Sequence, residues 1–425
     1  MKSKRTIEVN HVTRVEGHGN ISINITDGEL IDAKWQVIET PRFFEAMLRG
    51  MSYDMAPLLT SRICGICSIS HTLASLRTVE KAMGVRVPKI AQRLRFLAKH
   101  GETIQSHILH LVFLAIPDFL GFSSVLPIVE KFPDVAAIGV KLKALGNDIS
   151  DLVAGRTTHP VSLVVGGMSK APEKKELEKM KIRIQDCLND VVTAAEFCKA
   201  SITLPQFMRE TEFVSLKGKG SYPWIGGNLI SSDGVVKPEN DYLEMTNEYK
   251  VDFTTSKFTK LSRKSFAAGA LARLNNNYKF LRPEARKLSE EFKLGPINHN
   301  PYMNNIAQLV ETYHIMLESI DLIEELLDSN LDKVVNKYAV QEGESTGAVE
   351  APRGILYHHY KINKKGKIVK ANCIIPTTQN NANIHYDLKE LVKQEVDLGK
   401  DDDQIRLLCE MLVRAYDPCI SCSVH

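Results

Sequence analysis

The stretch Asp417-Pro418-Cys419-Ile420-Ser421-Cys422-Ser423-Val424-His425 decides how the rest of the chain is read. Two thiols stand three positions apart, an imidazole follows three later, and the sequence stops. Terminal residues usually fray and carry no chemistry. A tail with three metal-binding side chains therefore has to be tied down. Its counterpart lies far upstream, in Arg62-Ile63-Cys64-Gly65-Ile66-Cys67-Ser68-Ile69-Ser70-His71. Two Cys-x-x-Cys pairs, each followed by a histidine, bracket most of the molecule. The expectation that organises everything else is that these four sulfurs meet at one buried metal centre.

The composition is that of an ordinary globular chain. At 425 residues, 44% hydrophobic and 25% charged, it can build a large core, in about two or three domains or one domain with insertions. A formal net charge of +3 is too small to point to nucleic acid or an anionic membrane. No apolar run reaches bilayer length, and the longest, Ile108 to Phe119, is interrupted by His110 and Pro117. The basic start, Met1 to Arg5, has no apolar stretch behind it. A secretory signal is not expected, and a cytoplasmic location is. Eight cysteines in so long a chain do not read as a disulfide scaffold. Cys187, Cys198 and Cys409 read as buried small hydrophobes.

In chain order, residues 6 to 40 read as strands. Ile21, Ile23 and Ile25 alternate with polar residues, Asp27-Gly28 is a hairpin turn signal, and Ala33, Trp35 and Val37 alternate again. Thr13-Arg14-Val15-Glu16-Gly17-His18 precedes them and reads, on pattern alone, as a surface turn. Helices are predicted over 72–83, 89–115 with Pro117 as a stop, a long one after Pro172, 304–336, and 386–414. His100, His107 and His110 lie in the second and read as packed or solvated. Residues 211–262 are rich in Gly, Ser, Thr, Tyr and Val, and two strands flank Lys364-Lys365-Gly366 within 354–376. The expected fold is α+β and mainly α: a central helical bundle around a buried metal site, with peripheral strands and hairpins. The expected organisation is a β-rich segment at 1–60, a helical core with the first Cys pair at 61–210, a small β-containing insertion at 211–262, and a second helical core with hairpin and metal-ligand tail at 263–425.

Four thiolates suit several metals. A structural zinc site is one reading, although pairs so far apart do not staple a small unit, and Arg62, His71, Asp417 and His425 add polar groups that a closed zinc does not need. An iron–sulfur cluster is a second reading. Nickel or iron is a third, because soft thiolates leave geometry to select among these metals.

The pattern Arg62-x-Cys64-Gly65-x-Cys67-x-x-x-His71, paired with Asp417-Pro418-Cys419-x-x-Cys422-x-x-His425, resembles the large, catalytic subunit of a nickel–iron (NiFe) hydrogenase. Four further blocks extend the resemblance along the chain: Arg14-Val15-Glu16-Gly17-His18; His159-Pro160 with Gly166-Gly167; Glu350-Ala351-Pro352-Arg353-Gly354; and Ile375-Pro376-Thr377-Thr378. The terminal His425 is similar to the end of the mature form, after a processing protease has removed an extension.

The resemblance implies reversible heterolytic cleavage of H2 at a NiFe centre that also carries carbon monoxide and cyanide. In it, Cys64 and Cys419 are terminal thiolates on nickel, and Cys67 and Cys422 bridge nickel to iron. Cys419 is the first proton acceptor and Glu16 the carboxyl that passes the proton outward, a task suited to a buried acid. Arg353, after Pro352, covers the open coordination side and pairs with one cyanide. Thr377 donates to the other, His71 to the sulfur of Cys422, and Asp417 holds Arg353. Glu45, the backbone carbonyl of Cys373 and His425 are implied ligands of an octahedral magnesium that anchors the tail. There are departures: Ser106 stands where many relatives have an Asp beside the arginine, which leaves Asp417 more of that task, and Cys373 stands where others have a larger aliphatic residue.

The wording around the first Cys pair is most similar to the cytosolic multi-subunit, bidirectional or bifurcating class. That class implies an iron–sulfur small subunit and further flavin or iron–sulfur subunits using NAD(P) or ferredoxin. The chain itself has no nucleotide fingerprint and no spare cysteine set for a cluster, so electrons must leave through a partner. A quinone-site or structural subunit of a respiratory complex shares the ancestral fold, but those chains lack the Cys pairs.

Overall fold

The structure is a computed structural model, and it describes residues 4–424. A bundle of long helices forms its centre. It comprises α1 (Ser68–Ala82), α2 (Lys89–Ile108), α3 (Pro133–Ala154), α4 (Lys174–Asp186), α5 (Leu188–Ser201), α6 (Met303–Leu327), α7 (Pro376–Asp397) and α8 (Asp402–Ala415). Helix α2 is the axis, packed lengthwise on α3 and α6. It meets α3 backbone to backbone. A Cβ at Gly101 would lie 2.8 Å from the Gly146 carbonyl oxygen, and one at Gly146 would lie 2.5 Å from the Gln105 nitrogen. Only hydrogen at both positions permits so close a crossing.

Four small sheets lie around the bundle among the described residues. β1 (Lys4–Val9), β2 (Gly19–Thr26) and β3 (Glu29–Val37) form an antiparallel meander with Ile7 opposite Ile23 and Ile21 opposite Trp35. Ile21, Ile23, Ile25, Ala33, Trp35 and Val37 all face the core, as their alternation predicts. Asp27 and Gly28 both take positive φ in the hairpin turn. The Trp35 indole N–H donates to Asn381 Oδ1 at 3.0 Å, which fixes this sheet to α7. In the second sheet, β4 (Glu212–Leu216) lies between β5 (Asn228–Ser231) and β7 (Phe266–Ala267), with β6 (Val236–Pro238) at the edge beyond β5. The third contains β8 (Gly343–Ala351), β9 (Gly354–Ile362) and β10 (Ile368–Ile374), with β8 laid on α1. The fourth is a two-residue ladder, Leu163–Val164 with Gly167–Met168.

The mainly helical α+β class is the one expected. Several boundaries differ. The helix after Pro172 is two helices joined at Cys187, and the helix predicted to reach 336 stops at Leu327. The final helix is interrupted at Leu398-Gly399-Lys400, where Gly399 takes positive φ. Strand β8 carries no strand signature in the sequence, because every residue from Ser345 to Ala351 is buried and no polar alternation marks it. Beyond Ile108 the backbone widens into a π-helical stretch, Leu109–Ala115. No helix is long and apolar enough to cross a membrane among the described residues.

Candidate metal centre

Two turns bring the thiols together. The first pair sits where a short 3-10 helix, Ser61–Ile63, ends and α1 begins. The Cys67 N–H donates to Cys64 Sγ at 3.0 Å, so the loop is folded around its own sulfur. The start of α1 is held from outside. The Ser70 N–H donates to both oxygens of Glu102, at 3.0 and 3.2 Å, and the Ser70 hydroxyl donates to the same carboxylate. The Gln105 amide donates to the Ile66 carbonyl at 3.0 Å. Both partners come from α2, so the central helix also positions the first Cys pair.

The second pair lies on a tail that is tied down as far as Val424. Ile420 N–H donates to the Glu16 carbonyl at 2.9 Å, Ser421 N–H to Glu16 Oε2 at 3.1 Å, and the Ser421 hydroxyl to Glu16 Oε1. Arg42 N–H donates to the Val424 carbonyl at 2.9 Å, while its guanidinium spans Ser421 O and Ile63 O, one carbonyl beside each Cys pair. Ser256 and Thr378 hydroxyls donate to the Ser423 carbonyl. The stretch around Glu16, which reads alone as a surface turn, is thus the clamp on the tail. Gly17 makes the clamp possible. At φ +84° it lies so close to the tail that a Cβ would be 2.8 Å from Ile420 Cβ and 2.9 Å from the Ser421 nitrogen. Gly17→Ala is expected to cost about 1–3 kcal/mol through this strain, read as a lower thermal midpoint together with reduced metal content.

All four cysteines are at least 95% buried. Cys64 Sγ lies 3.7 Å from Cys419 Sγ, and Cys64, Cys419 and Cys422 present their sulfurs within 4.8 Å of one another. Cys67, Cys422 and a ring nitrogen of His71 form a second such group. Cys422 belongs to both. Burial pushes the Cys64 thiol up, but hydrogen bonds from Cys419, Cys422 and Cys67 hold it below the ordinary thiol range. His71 Nδ1 is 3.1 Å from His358 Nε2, and His358 Nδ1 in turn is 2.7 Å from the Tyr360 hydroxyl.

Beside the thiols lies a buried arginine. Arg353 donates through Nη2 to Asp417 Oδ1 and through Nε to the Asp417 carbonyl, each at 2.7 Å, and through Nη1 to Ser106 Oγ at 3.3 Å. Burial alone would favour its neutral form, but Asp417 and the thiols of Cys419, Cys67 and Cys64 hold the guanidinium above its ordinary range. Ser106 therefore does occupy the position beside the arginine, as a neutral acceptor. The Pro352 carbonyl accepts from Arg273 Nη2 at 3.0 Å. Arg273 also donates to both oxygens of Glu311, to Glu350 and to the Ala351 carbonyl, so the turn that presents Arg353 is built on a buried charge network. The Thr377 hydroxyl accepts from the Cys419 N–H at 2.9 Å and keeps its own hydrogen to donate.

Glu45 and Cys373 also meet: the Cys373 N–H donates to Glu45 Oε1 at 2.8 Å. His425 lies outside the described residues. Glu16 is half-buried rather than enclosed. Arg42, Glu102, Gln308, Arg273 and Glu311 escape a reading of the sequence.

The profile of the nickel-dependent hydrogenase family matches residues 42–138 and 232–425, about two-thirds of the chain, and a second profile, HoxL-like, matches residues 6–40. The chain belongs to the nickel-dependent hydrogenases. It is 34% identical to sulfhydrogenase 2 subunit alpha of Pyrococcus furiosus over 99% of this chain and 98% of that one. It is 26% identical to the NAD-reducing hydrogenase HoxS subunit beta of Cupriavidus necator, over 99% and 95%. The crystal structure of an NAD+-reducing NiFe hydrogenase in the H2-reduced state superposes with a TM-score of 0.91 at 26% identity, covering 99% of each chain. The protein is therefore the catalytic subunit of a NiFe hydrogenase, an oxidoreductase acting on H2. The residues present fit a nickel–iron centre. Four soft sulfur donors converge out of water, one of them common to two ligand groups, with a fixed cation alongside.

Proposed function

We propose that this hydrogenase subunit cleaves H2 reversibly and heterolytically at a NiFe centre bearing carbon monoxide and cyanide. Electrons leave through an iron–sulfur small subunit and pass to NAD(P) or ferredoxin in further flavin and iron–sulfur subunits, in the cytoplasm. The observation that carries this reading is the convergence of Cys64, Cys67, Cys419 and Cys422 beside the charge-fixed Arg353. The bound centre supplies the Lewis acid and electron acceptor for H2. Cys64 and Cys419 are assigned to nickel alone, and Cys67 and Cys422 to positions shared with iron. Cys422 membership of both ligand groups supports its own place among the shared positions. Cys419 Sγ takes the proton, and Glu16, hydrogen-bonded to Ser421, moves it outward. Arg353 and Thr377 present donors to the two cyanides, and His71 a ring nitrogen to the Cys422 sulfur. The similarity to an NAD-reducing hydrogenase supports NAD among these acceptors.

Purified with its partners, the protein is expected to contain stoichiometric nickel and to show cyanide and carbonyl infrared stretches. A nickel-loaded sample without those bands would end this reading. Supplying H2 with NAD+, NADP+ and ferredoxin, singly and together, separates simple from bifurcating use.

Glu45, the Cys373 carbonyl and His425 are assigned to a structural magnesium. Deleting Val424 and His425 is expected to release the metal centre, because it removes both the magnesium ligand and the Arg42 bond to Val424. Full nickel content and H2 turnover in the truncated protein would rule out the magnesium anchor.

A further inference from the structure

His110 takes no part in the functions assigned above, yet it is 1% exposed and ends a chain of hydrogen bonds that starts at Arg353. Asp417 gives Oδ1 to Arg353 and accepts at Oδ2 from the Gln308 amide nitrogen, at 3.0 Å. That contact fixes the Gln308 side chain: its NH2 faces the carboxylate and its oxygen faces the other way. The oxygen lies 2.5 Å from His110 Nδ1, which must then carry hydrogen. The other ring nitrogen, Nε2, lies 2.7 Å from the Arg414 carbonyl oxygen, and a carbonyl can only accept. Acceptors on both edges of one imidazole call for N–H on both nitrogens. We infer that His110 is a buried imidazolium that, through Gln308, holds Asp417 and hence Arg353 in place.

One feature favours a cation there, and two more fix the ring in place. Arg414 is in the last turn of α8, where helix carbonyls lack intrahelical partners and the macrodipole is negative. The same carbonyl accepts from the Asp417 N–H at 2.8 Å, so Asp417 and His110 are pinned to one atom. The ring is carried on the π-helical stretch Leu109–Ala115, a rare backbone form that recurs at functional sites. The charged groups of the surrounding elements are already matched. Arg414 pairs with Asp118 and Glu410, Arg14 with Asp118, Glu311 with Arg273 and His107, and Asp417 with Arg353. If instead the Gln308 amide were turned over, His110 could be neutral, but the Gln308 oxygen would then face Asp417 Oδ2, acceptor against acceptor. Gln308 and His110 are thus positioning residues for the guanidinium whose role is proposed above.

Solid-state 15N spectra of the histidine-labelled holoenzyme at neutral pH, with His110 assigned by difference from His110→Gln, test the charge directly. Both His110 nitrogens are expected in the N–H range. One unprotonated nitrogen would overturn the inference, whatever the activity shows. Gln308→Leu is expected to retain nickel and to turn over H2 about tenfold more slowly, the scale of one lost hydrogen bond to a charged group. Gln308→Glu should restore part of that at acid pH, where a protonated carboxyl can still donate to Asp417, and lose it as the pH rises. Wild-type turnover in Gln308→Leu would overturn the positioning role. If Arg353→Lys were also fully active, the fault would lie in the reading of Arg353.

Discussion

Cys64→Ser is expected to give a folded chain that purifies with its partners, contains little nickel, and turns over H2 more than about a hundredfold more slowly. Residues that merely surround a metal ligand are worth about 10–100-fold in affinity or activity, and loss of a ligand should exceed that. A serine hydroxyl is too weak an acid to bind as its anion and is a hard donor where the remaining three are soft. The fold itself should survive. Cys64 contributes one buried sulfur, and its loop is held independently by Arg42 on Ile63 and by Glu102 and Gln105 on the turn beyond. Elemental analysis and H2-dependent dye reduction measure the two effects, and a thermal melt checks the third. A Cys64→Ser protein with full nickel content would show that the four sulfurs do not act as one set.

Arg273→Met should damage stability most. Arg273 is wholly buried and binds Glu311 at 2.6 and 2.7 Å and Glu350 at 3.2 Å. Burial alone would raise the Glu311 carboxyl, but Arg273 and His107 hold it below the usual carboxylate range. Glu350 is pushed up to about 7 by burial, only partly offset by Arg273 and the Leu216 N–H. Removing the guanidinium strands a carboxylate without its cation, at a cost of about 3–5 kcal/mol. It also frees the Ala351 and Pro352 carbonyls, so the turn that carries Arg353 loses its support. The denaturation midpoint should fall accordingly, and residual H2 turnover should fall with it. Arg93→Met is the control. Arg93 pairs with Glu325 at the surface, and its loss is expected to cost less than about 1 kcal/mol. Equal losses for the two variants would mean that the buried network has no special part in stability.

Patterns that repeat along the chain were legible. The alternating isoleucines of β2 fixed which face is buried, Asp27-Gly28 marked its turn, and two Cys-x-x-Cys motifs marked the thiols that the fold brings together. Polar residues inside helices were not. In α2 every residue from Leu97 to Ile108 is buried, including Lys99, His100, Glu102, Gln105 and His107, and in α6 only Tyr313 between Met303 and Met316 is not. Amphipathic periodicity assigns such residues to the solvated face. Here that face turns inward, because a buried set of thiols and its arginine need polar partners on every side. Nothing in spacing alone separates Glu311, which binds Arg273, from Glu325, which pairs at the surface. The bonds of Arg42 across both Cys loops escaped for a different reason, since they depend on a long-range approach that local pattern does not encode.

The clamp between Glu16 and the Cys419–Cys422 tail joins segments about four hundred positions apart. Synthesis from the N-terminus makes Cys64 and Cys67 early, long before their counterparts are made. A nascent chain thus has only half a ligand set for most of its elongation. Closing the other half requires a late, entropically expensive loop, so the step that completes the pocket is expected to be among the slowest in folding.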